Sequence, residues 1–134
     1  MTFDNLIRDI KQLKGTKLNS IRPGSDIIIH NVDTEHAKVE IVTINGILKS
    51  RPLSEIQKLW KELCSCPAVH VDKVLSGSGS SRNQPETILA NLPYIEWFKF
   101  DNKKHIVFVG KSTHPLGTLK QMDAVEAEKI RGDS

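Results

Sequence analysis

Asn45-Gly46, set between Ile44 and Ile47, is the strongest hairpin signal in the chain and constrains its fold more than any other feature. Asn and Gly tolerate the backbone angles that a tight turn imposes, so the segments on either side must be antiparallel neighbours. Val39, Ile41 and Thr43 alternate ahead of the turn as a half-buried strand. Further upstream, Arg22-Pro23-Gly24-Ser25 is a turn, and Ile27, Ile28 and Ile29 form a β-branched run that reads as a strand buried on both faces. A polar connection from Asn31 to His36 joins the two. Three or four strands therefore occupy the first part of the chain.

Helical signals surround these strands. Asp4 is placed to cap a first helix carrying Leu6, Ile7, Ile10 and Leu13, which Gly15 ends. Leu53, Ile56, Leu59, Trp60 and Leu63 mark one face of a second helix, over 54–63, stopped by Pro67. Another runs from Gln84 to Asn91. A strand from Tyr94 to Phe100 follows, then a turn at Asp101 to Lys104 and a return strand from His105 to Gly110. Thr118, with Gln121, is placed to cap a last helix bearing Leu119, Met122, Val125 and Ile130. Helices and strands without βαβ alternation predict a single α+β domain over 1–134, with a few short antiparallel strands and about four helices. The order helix, loop, helix, hairpin over 53–110 also suits a winged-helix-like segment, with Lys99, Lys103, Lys104 and Lys111 on or near the wing. A plain hairpin with a solvated basic turn fits the same residues.

The stretch Ser76-Gly-Ser-Gly-Ser-Ser-Arg82 predicts a mobile loop that opens into the helix at 84–91. Asn83 and Glu86 have the spacing of a capping box, and Pro85 falls in the first turn, where a missing N–H costs nothing. Loop N–H groups, Arg82 and a helix N-terminus together suit an anion, a phosphate above all. The plain alternative is a solvated linker before an ordinary capped helix. A net charge of +3 permits nucleic acid as a partner without announcing it. With no apolar run of membrane-spanning length and no leader pattern, the expected location is cytoplasmic.

Catalytic signals are weak. Cys64, Cys66 and His70 could supply three metal ligands, but Cys64 also serves as a small apolar residue closing the preceding helix. None of His30, His36, His70, His105 and His114 sits in a nuclease motif. Asp101 and Lys103 have the Asp-x-Lys spacing of metal-dependent nucleases, with Asp26 a distant partner, yet they fall at a hairpin tip where turn chemistry explains them. Ser78, Ser80 and Ser81 lack a nucleophile elbow, and Gly77-Ser-Gly-Ser lacks the lysine of a phosphate-binding P-loop. A binding module is expected, with no catalytic residue, metal or cofactor.

Gly77-Ser-Gly-Ser-Ser-Arg-Asn-Gln-Pro-Glu-Thr-Ile-Leu-Ala-Asn-Leu-Pro93 and Thr113-His-Pro-Leu-Gly-Thr-Leu-Lys120 resemble the DNA sulfur-binding domain of McrA-like type IV HNH restriction endonucleases. The likeness extends loosely over most of the chain, including Ser50 to Ile56. It implies recognition of double-stranded DNA in which sulfur replaces a non-bridging phosphate oxygen, with cleavage left to a fused or associated HNH nuclease. Sulfur is larger, softer and less hydrated than oxygen and gains from a small apolar recess. The resemblance puts that recess at Pro115, with the aliphatic parts of His114, Leu116 and Thr118. Ser80, Ser81, Arg82, Asn83, Gln84, Lys111 and Thr113 are the implied DNA contacts, the amides of Asn83 and Gln84 being suited to base edges. Family pockets often place a tyrosine beside the proline; His114 stands there in this chain. Two other classes fit the residues: a winged-helix-like nucleic-acid module indifferent to sulfur, and a protein adaptor or metal-dependent nuclease fragment.

Overall fold

The computed structural model describes residues 1–75 and 82–133. Helix α1 spans Phe3–Gln12 and buries Leu6, Ile7 and Ile10. Its cap is Thr2 rather than Asp4. The Thr2 hydroxyl accepts from the Asn5 N–H while the Asn5 side chain accepts from the Thr2 N–H, and Asp4 lies inside the first turn. Thr2 and Asn5 therefore satisfy two otherwise unpaired N–H groups between them, which Asp4, already two residues further along inside the helix, could not do.

Strands β1 (Lys17–Leu18), β2 (Ile27–Asp33), β3 (Lys38–Thr43) and β4 (Leu48–Pro52) form one antiparallel sheet in sequential order. The β3–β4 hairpin forms where Asn45-Gly46 places it. Thr43 N–H donates to the Ile47 carbonyl at 2.9 Å, leaving a three-residue loop in which only Gly46 has positive φ, 77°. Gly at the left-handed third position is the signature of that loop. Ile28 is 39% exposed between the buried Ile27 and Ile29, so β2 is half-buried and not covered on both faces. The outer face of this sheet is open; its inner face, with Ile29, Val39 and Ile41, lies in the core.

Helix α2 (Leu53–Ser65) buries the predicted stripe of Leu53, Ile56, Leu59, Trp60 and Leu63. Arg51 holds Glu55 in a fork of two 2.9 Å hydrogen bonds at its start. A short α3 (Val71–Val74) precedes α4 (Asn83–Ala90). Strands β5 (Ile95–Phe100) and β6 (Lys103–Phe108) form a second, two-stranded sheet, turning on Asp101 and Asn102 with φ of 52° and 60°. The final helix, α5 (Ala124–Asp133), starts later than Thr118. Residues before it are extended: Gln121 bridges Trp97, and Met122 N–H donates to the Trp97 carbonyl at 2.7 Å. Asp123 caps α5, accepting from the Val125 N–H at 2.8 Å. Docking against β5 satisfies this backbone where an earlier helix start would not.

The described residues thus form an α+β domain of five helices and two antiparallel sheets, of four and two strands. Leu6, Ile10, Leu13, Ile29, Ile41, Ile56, Leu59, Ile88, Leu89 and Leu92 meet in one core that joins both sheets. The helix–helix–hairpin order of a winged-helix-like segment is present from α2 to β6. However, every residue of α4 from Gln84 to Ala90 is buried. A recognition helix needs a free flank to enter a groove, and α4 has none. Among the described residues no helix is long and apolar enough to cross a membrane.

Candidate nucleic-acid interface

Helix α4 organises the predicted site residues into two separate places. At its C-terminal end, residues 113–118 dock onto the junction with β5. Thr113 N–H donates to the Pro93 carbonyl and Gly117 N–H to the Asn91 carbonyl, each at 2.8 Å. His114 Nε2 donates to the Ile95 carbonyl at 2.7 Å, while Nδ1 lies 2.9 Å from the Thr118 hydroxyl. The single proton of that hydroxyl is shared between Nδ1 and the Pro115 carbonyl, which lies 2.7 Å from the hydroxyl. Gly117, with φ 85°, makes the final bend.

Consequently Pro115 is exposed on a loop held from both sides. Leu116 is half-buried and packs against the core, so it contributes only an edge to any surface recess. Both ring nitrogens of His114 face protein partners, Nε2 the Ile95 carbonyl of β5 and Nδ1 the Thr118 hydroxyl. The residue at the tyrosine position therefore acts as a buttress behind Pro115 more than as a wall of a cup. Lys111 is exposed beside this loop, and Thr113 is half-buried with its hydroxyl 3.4 Å from the Pro93 carbonyl.

The N-terminal end of α4 carries the second group. Ser80 and Ser81 lie outside the described residues. Asn83 is the first helical residue, and the cap position belongs to Arg82, which makes no side-chain capping bond. The Asn83–Glu86 capping box does not form. Glu86 instead points into the protein, 2% exposed, and pairs with Lys104 of β6 at 3.0 Å. Burial pushes the Glu86 carboxyl above its ordinary value, and Lys104 opposes that rise. Arg82 lies 3.7 Å from Asp72.

Asn83 and Gln84 line a groove of about 390 Å³ together with Arg22, Asp26, Asn45 and Lys49. Arg22 and Lys49 are functional candidates that the sequence did not single out. The turn at Arg22 and the hairpin at Asn45 were legible as turns, but no local pattern brings them to residue 83. Helix α4 spans eight residues, about 12 Å at 1.5 Å per residue. The loop anchors and the Arg82–Gln84 group are separated by that length, so they do not converge on one phosphate.

The other chemical candidates are dispersed. Cys64 and Cys66 are exposed; the Cys66 thiol donates to Glu62 at 3.4 Å, and His70 Nδ1 donates to the Lys104 carbonyl at 3.0 Å. Asp33 accepts from the His36 backbone and ring at a hairpin tip, and those bonds hold its carboxyl below the usual value. Among the described residues no group of three or more His, Cys, Asp or Glu is placed to hold a metal. No family model, curated protein or solved structure matches the chain.

Proposed function

We propose that this domain binds double-stranded DNA carrying a phosphorothioate, with Pro115 offering the apolar face against the sulfur. The observation that carries this reading is the pinned loop. His114, Thr113, Gly117 and Thr118 fix the backbone around an exposed proline, which has no rotamer freedom of its own to lose. The likeness of residues 77–93 and 113–120 to sulfur-binding domains supports it. Lys111 beside the loop and Arg82 with Asn83 at the far end of α4 supply cations and donors for two different phosphates. In this role the domain works in the cytoplasm as a recognition module without catalysis, metal or cofactor, and serves a fused or associated HNH nuclease.

Exchanging one atom against an apolar surface discriminates by about 10- to 200-fold, by analogy with single-methylene selection in enzyme pockets. Phosphate contacts set the remaining affinity and make it fall with salt. Titrating modified and unmodified duplexes against two variants separates these contributions. Pro115→Ala should shrink the preference for sulfur and leave unmodified binding in place. Arg82→Ala should weaken binding to both duplexes alike. Equal loss on both duplexes in Pro115→Ala would remove the loop from the sulfur site. A sulfur-indifferent nucleic-acid module would show no preference in the parent protein.

A further inference from the structure

One face of the β5–β6 sheet, with Ile95, Trp97, Ile106 and Phe108, packs on the main core. The strand register sets Glu96 opposite Val107 and Phe98 opposite His105 on the other face. There Phe98, Val107 and Met122 form a small second core, with Val109 and, from α5, Ala127 and Ile130 packed against it. A cavity of about 580 Å³ lies beside this cluster, with Val107, Val109, Met122 and Ile130 as its apolar lining. Lys111 and Thr113 of the neighbouring loop also line it.

Glu96 puts a carboxylate into these apolar surroundings. Its side chain is 9% exposed and lines the cavity. Its one partner among the described residues is Lys120, whose Nζ stands 3.6 Å from Oε2, too far for a hydrogen bond. That pairing shows where the carboxylate points: Lys120 lines the same cavity and is 45% exposed, so Oε2 is turned toward the solvent side. Neither Glu96 oxygen is among the described polar atoms sealed inside the protein without a partner. The other acids in the lining are engaged elsewhere, Asp123 accepting from the Val125 N–H at 2.8 Å and Glu126 lying 3.8 Å from Lys129.

Burying a carboxylate without donors is costly, and two positions on the same face is filled by an apolar Phe98. Unused lone pairs amid hydrocarbon select an ammonium carried on an apolar body. The volume is that of a small-molecule site. We infer that this cavity binds a small hydrophobic primary amine, its ammonium donating to the Glu96 carboxylate and its hydrocarbon part lying on Val107, Val109, Met122 and Ile130. Lys120 is the internal stand-in for that ammonium and swings into water when the amine enters. The inference does not rest on sulfur recognition. Because the cavity shares Lys111 and Thr113 with the loop, DNA is left out of the test.

Amide NMR shifts of the labelled full chain, titrated at neutral pH with 2-phenylethylamine, 2-phenylethanol and ethylamine, provide that test. 2-Phenylethylamine should saturate at millimolar concentration or below, with the largest shifts at Glu96, Val107, Val109 and Met122. The alcohol lacks the charge and ethylamine lacks the ring, so each should bind about tenfold or more weakly. Glu96→Gln keeps the shape of the side chain and should abolish the preference for amine over alcohol. Lys120→Ala removes the competing cation and should tighten the amine by up to about fivefold, the weight of a part-exposed ion pair. No saturation by 2-phenylethylamine, equal affinity for amine and alcohol, shifts outside the cavity, or loss of amine binding in Lys120→Ala overturns the assignment.

Discussion

At its C-terminal end helix α4 is closed. The amino group of Asn91, fully buried, donates to the Asn19 carbonyl at 3.0 Å and the Thr87 carbonyl at 2.8 Å, and the Asn91 carbonyl accepts from Gly117. At its N-terminal end the same helix is open: Arg82 gives no side-chain cap and a groove lies alongside. The two buried amides, seven residues apart, differ in their surroundings: the Asn91 nitrogen ties the helix to residue 19, Gln84 lines a groove, and the side-chain oxygen of each has no donor among the described residues. An over-determined region presents a shape and does not adjust, which suits reading an atom's size through Pro115. One eight-residue helix, about 12 Å long, lies between the two regions.

Changes at the closed end should cost the most. Asn91→Ala removes two buried hydrogen bonds and leaves the Asn19 carbonyl without its donor, so a loss of about 2–3 kcal/mol is expected in urea unfolding. His114→Phe keeps a ring but loses the bond to the Ile95 carbonyl. It should cost about 1 kcal/mol in the same measurement and also lower the sulfur preference. If His114→Phe leaves both unchanged, the loop is not held as described.

Glu86, in the body of the helix between the two ends, predicts a pH signature. Its carboxyl titrates above the ordinary 4.5 because burial disfavours the charged form. Between that value and its raised value the folded state holds more protons than the unfolded state, so stability contributed by Glu86 falls as pH rises through the window. Glu86→Gln should flatten this decline in thermal unfolding measured from pH 4.5 upward. The smallest effect belongs to the open end. Gln84→Met discards an unsatisfied acceptor for a chain of similar size and should change stability by less than about 0.5 kcal/mol, or raise it. A loss as large as that of Asn91→Ala would erase the contrast between the ends.

Much of this fold is legible locally. The apolar stripe of α2 and the β3–β4 hairpin follow from spacing and turn chemistry that act within about ten residues. The errors arise where a distant residue decides. Asn83 and Glu86 carry a capping-box pattern, but Lys104, eighteen positions on, draws Glu86 into the protein. Thr118 looks like a cap, but the edge of β5 holds residues 120–122 extended. The role of His114 likewise depends on the Ile95 carbonyl, nineteen positions away. The groove at Gln84 needed three segments brought together, and only the fold does that.

The most direct test is a fluorescence-polarisation titration of short duplexes identical except for one phosphorothioate of defined stereochemistry. If Pro115 meets the sulfur from a loop pinned in this way, it can face one non-bridging position only, so the proposal predicts tighter binding to a single stereoisomer, by about 10- to 200-fold over the unmodified duplex. Equal affinity for both stereoisomers and the unmodified duplex would contradict sulfur recognition and leave a general nucleic-acid module. No binding to any of them at low salt would contradict nucleic-acid binding itself.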